Sequence, residues 1–569
     1  MISITCGSSW YWQVNSAFHP PPKSTKMWAS QFIFILLSLF ATGAFAISNR
    51  DTKFVAAVYE HVFIAAENKS VVLSKQDAVA IVMRNMDIYE SQMEKAKQKN
   101  ASIIVFPEYG LTGFSYTRKS FKPFLEDIPD PTKIAWNPCQ NPQTNHSTPI
   151  LYRLSCLAKR YDMYVVVNMG DIKPCLTKTD QYCPTDGRYQ YNTNIAFDNR
   201  GKLVARYHKQ HPFMVEMEVI NVPRFPEYIS FDTPFGKIGT FICFDVLFYD
   251  PAVTLVNKHE IDHVVFPTAW FDVLPLFSAI GFHGSWARGM QVNFLAANTH
   301  VPPYLNTGSG IYSPNGVKSY YRSLSENGSL SIATLSKKPR DNLQNTSTGN
   351  TEKFKEVKNN EDSFYSDLFG DVFLFRELKE SEGRLDVCYN KSEVCCGLSY
   401  KMKTKRADEM YALGVFDGLH TKEGQYYLRI CTLIKCHGLD RKTCGQRTYN
   451  ARTIFESFTL KSQLNTRYVF PQVVADGVSL LPGQWEHDRP VTYLKSKHQL
   501  SQSLLTAALF GRVYELDVNK SVPSSGAHMI NNVILICILV LLGSFESSNI
   551  YVIYYFRSFE QFEKEFIYK

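Results

Sequence analysis

KIGTFICFDVLFYD, residues 237–250, is the stretch on which the fold and the chemistry of this chain depend. Its apolar run from Ile238 to Ile242 predicts a buried strand, which delivers Cys243 to the strand's C-terminal end. Open α/β sheets hold their ligands at that edge. A lone cysteine beside a strand is more often an inert core residue than a nucleophile. A catalytic role for this thiol therefore requires partner residues elsewhere in the chain.

Strands and helices alternate around this stretch up to about residue 335. The segment FVAAVYEHV (54–62) predicts a strand, and residues 76–99 carry apolar positions at helical spacing. Further strands are predicted at 102–106, 163–168, 193–197, 203–207, 262–267 and 293–298, and further helices at 149–160, 251–259 and 277–289. Strand–helix–strand crossovers place successive strands in one sheet, so the sequence predicts an α/β fold over residues 47–335.

The composition changes beyond residue 335. Residues 336–370 are polar and predict a linker, and residues 371–520 contain short apolar runs separated by turns. We therefore expect a smaller, β-rich second domain. The net charge of +8 is spread over short mixed runs without a basic stripe, which disfavours a nucleic-acid partner.

The thirteen cysteines predict a disulfide framework. Cys6 and Cys537 fall in segments expected to lie outside the folded body, and setting Cys243 aside leaves ten. Cys139 with Cys156 and Cys175 with Cys183 are the local pairs that we expect. The other six would bridge among themselves in an unspecified order, namely Cys388, Cys395, Cys396, Cys431, Cys436 and Cys444. Zinc-type CxxC spacing is absent from the sequence, so no metal site is predicted.

The N-terminal segment predicts entry into the secretory pathway. An apolar run over residues 31–46 ends in Ala-Phe-Ala, a small-x-small site typical of signal peptidase cleavage. Residues 1–46 are thus interpreted as an extension, with a natural start at Met27, followed by a signal peptide. Seven N-glycosylation sequons are consistent with that route, at Asn68, Asn100, Asn145, Asn327, Asn345, Asn390 and Asn519.

Two interpretations of residues 521–569 remain open. Ser524, Ser525 and Gly526 precede the apolar run 533–542, a pattern typical of a removed glycolipid-anchor signal. The spacer is short, however, and the chain continues well past that run. A single membrane span over 533–556 with a basic flank is the alternative. The protein is expected at the extracellular face of the plasma membrane or in secreted form.

Three chemically active residues come at or just beyond the ends of predicted strands: Glu108, Lys209 and Cys243. A thiol is only slightly ionised at neutral pH, so attack on an amide requires a base within hydrogen-bond reach. Glu108 is the candidate base and acid. Lys209 and the backbone N–H of Phe244 are candidates to stabilise the oxyanion.

The segments around these residues resemble the catalytic motifs of the nitrilase superfamily of carbon–nitrogen hydrolases. They read FPEYGLTG (106–113), YHKQ (207–210) and CFD (243–245). The later segments VVFPTAW (264–270), TGSGIYSPNG (307–316), CCGLSYKM (395–402), YALGVFDGLHTKEGQYYLRICTL (411–433) and YVFPQV (468–473) resemble the vanin and biotinidase branch of that superfamily. The resemblance covers most of the mature chain.

This resemblance implies an αββα sandwich, a Glu-Lys-Cys triad and no cofactor. It also implies that Glu216 is a second glutamate that orients Lys209, with Glu218 a less favoured substitute. Vanin-like activity would cleave pantetheine to pantothenate and cysteamine through a thioester on Cys243. The alternatives are hydrolysis of biotinyl amides and a catalytically silent adhesion or signalling ectodomain.

Four other residues could be mistaken for parts of the site. Trp270 is interpreted as core or as a pocket wall. His208, His211 and His283 are interpreted as surface or packing residues rather than as members of the triad.

Overall fold

The computed structural model describes residues 52–341, 343, 362–389 and 393–517. The predictions on the N-terminal extension, the signal peptide and the anchor candidates Ser524, Ser525 and Gly526 lie outside the described residues, as do those on Asn345, Asn390 and Asn519. Among the described sequons, Asn68, Asn100, Asn145 and Asn327 are all exposed. Within the described ranges, no helix has the length and apolar character needed to cross a membrane.

Two six-stranded sheets form the first part of the molecule. Their strands are β1 Lys53–Glu60, β2 Ile103–Val105, β3 Tyr164–Pro174, β4 Arg188–Phe197, β5 Leu203–His208, β6 Ser230–Thr233, β7 Gly236–Thr240, β8 His263–Thr268, β9 Asn293–Asn298, β10 Ser309–Ser313, β11 Gly316–Tyr321 and β12 Ser329–Ser336. One sheet has the order β12-β1-β2-β3-β4-β5 and the other β11-β10-β9-β8-β7-β6. The strands β1, β2 and β3 are parallel, as are β7, β8 and β9.

Three long helices cover the outer faces of these sheets: α1 Lys75–Gln98, α2 Pro149–Tyr161 and α3 Ala279–Met290. Ser74 caps the first by accepting a hydrogen bond from the Asp77 N–H at 3.1 Å. Single-turn helices occupy Arg118–Phe121, Thr144–Ser147, Glu216–Val219 and Thr254–Asn257. Apolar residues such as Val105 and Val265 fill the space between the sheets, while α1 and α2 pack outside β2 and β3. The layers confirm the αββα sandwich.

The second part of the molecule is β-rich, as predicted. Its strands are β13 Ser363–Leu368, β14 Asp371–Glu377, β15 Glu382–Cys388, β16 Cys395–Thr404, β17 Tyr411–His420, β18 Tyr426–Lys435, β19 Ile454–Ser462, β20 Tyr468–Ala475, β21 Trp485–His487, β22 Tyr493–Ser496 and β23 Leu504–Arg512. They form sheets of order β13-β14-β17-β18-β23-β20 and β15-β16-β19-β22-β21, with an apolar core between them. The first of these sheets also packs against α3.

Five disulfides are present in the described part of the chain. Cys139–Cys156 and Cys175–Cys183 confirm the two local pairs. The other six cysteines pair among themselves, as Cys388–Cys395, Cys396–Cys431 and Cys436–Cys444. Cys243 is the free cysteine of the described residues, and it is buried.

Several predicted boundaries are wrong. β7 ends at Thr240 because the backbone N–H of Ile242 donates to the Asp245 carboxylate and leaves the sheet. The helix expected over 251–259 is a turn at Tyr249–Val253 followed by Thr254–Asn257, since Asp250 precedes a proline and is extended. Part of the stretch expected as a polar linker over 336–370 is a strand, because β13 occupies Ser363–Leu368 and pairs with β14.

Candidate functional site

Glu108, Lys209 and Cys243 converge at one place, although they follow strands of different sheets. Glu108 comes after β2, Lys209 directly after β5 and Cys243 just beyond β7. Their exposed fractions are 1%, 1% and 7%. Charged side chains are almost never buried this completely unless they are paired. Their partners therefore define what the site can do.

The ammonium of Lys209 lies between two carboxylates. Its Nζ is 2.8 Å from Glu108 Oε1 and 2.5 Å from Glu216 Oε2. The Glu216 carboxylate also accepts a hydrogen bond from the Phe213 N–H at 2.7 Å and another from the Tyr109 hydroxyl. The second glutamate expected from the family resemblance is thus in contact with Lys209.

Asn192 on β4 bridges the two carboxylates. Its amide Nδ2 donates to Glu108 Oε1 at 2.7 Å and to Glu216 Oε1 at 3.0 Å. Its Oδ1 accepts from Nδ2 of Asn168 on β3 at 2.5 Å. The other oxygen of Glu108, Oε2, accepts from the Ala269 N–H at 2.8 Å. Both oxygens of the Glu108 carboxylate are therefore held in place by donors.

Asp245 fixes the turn that carries Cys243. Its Oδ2 accepts from the Ile242 N–H at 3.0 Å and from the Tyr207 hydroxyl at 2.7 Å. Its Oδ1 accepts from the His211 N–H at 2.8 Å. One carboxylate thus joins the turn after β7 to the residues on either side of Lys209. Cys243 itself has φ +46°, in the left-handed region that few non-glycine residues adopt.

Burial and charge shift the proton affinities of all three residues. Burial raises the pKa of the Glu108 carboxyl, an effect that the Lys209 charge opposes and the Glu216 charge reinforces, so that the pKa lies above its ordinary value. Burial lowers the pKa of Lys209, but the charges of Glu108 and Glu216 outweigh burial and the net shift is upward. Lys209 consequently remains an ammonium.

The Cys243 thiol has a pKa above its ordinary value. Burial and the charge of Glu108 raise this pKa, and the charge of Lys209 lowers it in part. The thiol is therefore protonated at neutral pH and needs a base when it reacts. A carboxylate with a raised pKa beside an ammonium is suited to take up and return a proton.

Two cavities have Cys243 in their walls. The Glu108 cavity is also lined by Glu108, Lys209 and Glu216, and the exposed side chains of Met214 and Val215 lie along it. The aromatic cavity shares Phe213, Ala269, Phe271 and Tyr304 with the Glu108 cavity, and its other walls include Phe244, Trp270, Phe277, Phe369, Glu423 and Tyr426. Phe369, Glu423 and Tyr426 come from the β-rich part of the chain.

The other residues considered from the sequence have separate environments. Trp270 forms a wall of the aromatic cavity, and its indole N–H donates to the Phe277 carbonyl at 2.9 Å. His208 is buried between Asp171 and Glu227, His211 contacts Asp245, and His283 packs among Phe266, Trp270 and Phe294. Glu218 lies two residues beyond the carboxylate that reaches Lys209 and is exposed. Within the described residues, no group of His, Cys, Asp and Glu has an arrangement that could hold a metal ion.

Asn192 and Tyr109 were not identified from the sequence. The predicted strand began at residue 193, whereas β4 begins at Arg188 and includes Asn192. Asn192 and Asn194 are two residues apart and therefore share one face of the strand. Two asparagines at this spacing in a buried strand are a signal that could have indicated a polar network.

Comparison with known proteins agrees with the two-part fold. Residues 73–290 match the carbon–nitrogen hydrolase family and residues 362–517 match the vanin C-terminal domain. A pantetheinase from Mus musculus is 49% identical over 83% of this chain and 90% of its own length. The Homo sapiens pantetheinase is 44% identical over 87% and 96%. The Homo sapiens biotinidase is 41% identical over 82% and 90%.

Solved structures with similarity to the chain include an amidase from Nesterenkonia sp., with 16% identity, a TM-score of 0.35, and coverage of 52% of this chain and 95% of the amidase. The family assignment rests on the sequence relatives, which are far more similar. The chain belongs to the vanin and biotinidase branch of the carbon–nitrogen hydrolase family.

Proposed function

We propose that this protein hydrolyses pantetheine to pantothenate and cysteamine, with Cys243 as the nucleophile. The observation that carries the proposal is the Lys209 ammonium, held at 2.8 Å from Glu108 and 2.5 Å from Glu216 in a cavity that also contains Cys243. The choice of substrate is supported by the pantetheinases among the relatives, at 44–49% identity.

Acylation begins when Glu108 removes the proton from the Cys243 thiol. The sulfur forms a bond with the amide carbon, and the carbonyl electron pair moves onto the oxygen. The ammonium of Lys209 and the backbone N–H of Phe244 stabilise this oxyanion. Glu108 then gives its proton to the amide nitrogen as the C–N bond breaks. Cysteamine leaves, and a pantothenoyl thioester remains on Cys243.

Deacylation uses the Glu108 carboxylate again, first as a base toward water and then as an acid toward the Cys243 thiolate. Glu108 takes a proton from a water molecule while the water oxygen attacks the thioester carbon. The C–S bond breaks, the thiolate regains the proton from Glu108, and pantothenate is released. Glu216 holds the Lys209 ammonium in position during both acylation and deacylation. Asn192 holds the two glutamates in fixed positions relative to each other.

Side-by-side assays with pantetheine and biocytin test this proposal. We expect purified protein to release cysteamine from pantetheine in preference to lysine from biocytin. A preference for biocytin would instead assign the biotinidase activity that the 41% identical relative suggests. Failure to cleave either amide would support the silent ectodomain.

The Cys243→Ser variant tests the nucleophile. We expect turnover to fall below detection because an alcohol is much harder to ionise than a thiol, while secretion and circular dichroism stay those of the wild type. Amide hydrolysis that survives this substitution would disprove the assignment of Cys243.

We also propose that the protein reaches the cell surface and is held there by a glycolipid attached at Ser524, Ser525 or Gly526. The five disulfides are consistent with an oxidising compartment outside the cytosol. A phosphatidylinositol-specific phospholipase should release the active enzyme from intact cells. Resistance to that treatment would favour the alternative span over 533–556 or a soluble form.

A further inference from the structure

We propose that the aromatic cavity binds the acyl chain of the substrate, and that Glu423 accepts a hydrogen bond from a hydroxyl group of that chain. This inference rests on the proposed function, because it takes the acyl chain to be pantothenoyl. It assigns a substrate-recognition role to the β17–β18 hairpin, which lies outside the carbon–nitrogen hydrolase match at 73–290.

The chemistry of the leaving group decides which cavity takes which part of the substrate. The departing nitrogen must receive a proton from Glu108, and Glu108 lines only the first of the two cavities described above. The amine side therefore extends along the Glu108 cavity, where Val215 is 54% exposed and solvent is close. The acyl chain, on the other side of the scissile carbon, then extends along the aromatic cavity.

The walls of the aromatic cavity suit an acyl chain with a branched apolar segment. Trp270, Phe277, Phe244 and Tyr426 present rings to it. The pantoyl end of pantetheine carries two methyl groups on one carbon, flanked by two hydroxyls. Burying the methyl groups against these rings is favourable, whereas the hydroxyls need hydrogen-bond partners once they leave water.

Glu423 lines this cavity, and one of its carboxylate oxygens accepts no hydrogen bond from the described residues. Its Oε2 is 2.7 Å from Nε2 of His420, while its Oε1 is buried and has no hydrogen-bond partner among the residues that the structure describes. A buried carboxylate oxygen without a donor is costly. A hydroxyl donor on the bound acyl chain would satisfy it.

The hairpin that carries Glu423 is held against the nucleophile turn. His420 lies between Glu423 and Asp371, with its Nδ1 2.8 Å from Asp371 Oδ2. Burial lowers the pKa of His420, but these two carboxylates outweigh burial and bring the pKa to about 9, so the imidazole is charged at neutral pH. A Cβ atom on Gly424 would be 3.0 Å from the ring of Phe244, which directly follows Cys243.

The test is substrate discrimination rather than activity alone. Pantetheine and an analogue that lacks both hydroxyls are compared as the ratio of their kcat/KM values, in the wild type and in Glu423→Ala. We expect the wild type to favour pantetheine by about 10- to 100-fold, as for a hydrogen bond to a charged group. The ratio should approach one in Glu423→Ala. An unchanged ratio would overturn the proposal.

Asp371→Asn is the matched control, because Asp371 contacts His420 from the other side but is not part of the cavity wall. A loosened hairpin would lower activity on both substrates, and the ratio would keep its wild-type value. A ratio that falls equally in Asp371→Asn and Glu423→Ala would assign the effect to the hairpin and overturn the hydrogen bond.

If Glu423→Ala is not secreted, Glu423→Gln tests whether the Glu423 carboxylate accepts the hydrogen bond. A neutral acceptor forms a weaker bond, so the ratio should fall at least about threefold below that of the wild type. A wild-type ratio in Glu423→Gln would contradict the proposal. Wild-type enzyme that leaves pantetheine intact would refute the proposed function itself, whereas cleavage without hydroxyl discrimination would refute only this subsite.

Discussion

At the residue scale, the side-chain amide of Asn192 links the two carboxylates of the site. Its Nδ2 donates to one oxygen of Glu108 and one oxygen of Glu216, so both carboxylates that hold Lys209 share a donor. A donor to a carboxylate stabilises the charged form and lowers the pKa of the acid. Asn192 thereby opposes the rise that burial causes in the pKa of Glu108.

Replacing Asn192 by Ala should shift the acid limb of the pH profile. Glu108 must be deprotonated to act as a base, so kcat/KM falls as the pH drops through the pKa of Glu108 in the free enzyme. Loss of the donor raises this pKa further, and we expect the acid limb to move to higher pH. Measurement of kcat/KM for pantetheine between pH 4 and 8 tests this expectation.

Asn194→Ala is the control for this shift. Asn194 lies on the same face of β4, and its amide donates to Thr240 Oγ1 at 3.0 Å rather than to either glutamate. The acid limb should therefore keep its wild-type position. Equal shifts in both variants would show that general damage to the strand, and not the donor on Glu108, controls the profile.

At the residue scale, the sequence indicated the three residues that the structure brings together, but not the side chains that support them. Cys243 could be singled out because it follows a predicted strand, and all three residues occur in recognisable motifs. The contacts of Asn192 with both glutamates could not be predicted, because they depend on how closely β4 approaches two segments far away in the chain. The Phe244 N–H remains a predicted oxyanion donor.

At the scale of elements, the contact between α3 and β20 joins the two parts of the molecule. Gly281 and Gly289 lie on the face of α3 that meets β20. A Cβ on Gly289 would be 2.5 Å from the Phe470 ring and 2.8 Å from the Val469 carbonyl oxygen. The helix and the strand can approach this closely only because the side chain is absent.

Gly289→Ala should destabilise the protein although alanine favours helices. The gain in helix propensity is about 1 kcal/mol, but overpacking against a backbone carbonyl typically costs about 1 to 3 kcal/mol. Thermal unfolding should show a lower Tm or two separate transitions. A higher Tm would contradict the packing argument.

Gly281→Ala is the comparison for this prediction. Its added Cβ would meet the side chains of Ser278, Val474 and Gln472 instead of a backbone atom. Side chains can move aside more easily than a carbonyl group, so the loss of stability should be smaller than for Gly289→Ala. The reverse order would show that side-chain crowding controls this interface.

Element boundaries also show where local sequence is insufficient. The strand predicted over 163–168 continues to Pro174, because residues 165–174 pair with 188–197 of β4. Of the added residues, Met169 and Ile172 are the large apolar ones, and their spacing of three does not give the alternation that identifies a strand. They pair with a partner strand that local periodicity cannot reveal, and the Cys175–Cys183 disulfide lies in the loop between the two strands.

At the scale of the whole molecule, the β-rich part packs against the αββα sandwich and contributes walls to the aromatic cavity. Phe277 and Phe282 pack against Phe510 of β23, at ring-centroid distances of 5.4 Å. The outer face of the αββα sandwich is thus covered by a further sheet, and the aromatic cavity has walls from both parts. The sequence predicted both folds, but this long-range packing leaves no periodic pattern that could predict it.

Disulfide removal should reveal how the β-rich part is held together. Cys396–Cys431 joins β16 to β18 in the facing sheet and closes a 35-residue separation, whereas Cys175–Cys183 closes a separation of 8. Loop-closure entropy assigns about 4 kcal/mol to the first and about 2.5 kcal/mol to the second. Cys396→Ala with Cys431→Ala should therefore lower the Tm and the secreted yield more than the equivalent pair at 175 and 183. Both cysteines of the longer bridge are fully buried, which adds the loss of core packing to the entropy difference. An equal or larger loss for the short loop would show that neither chain entropy nor core packing sets the order.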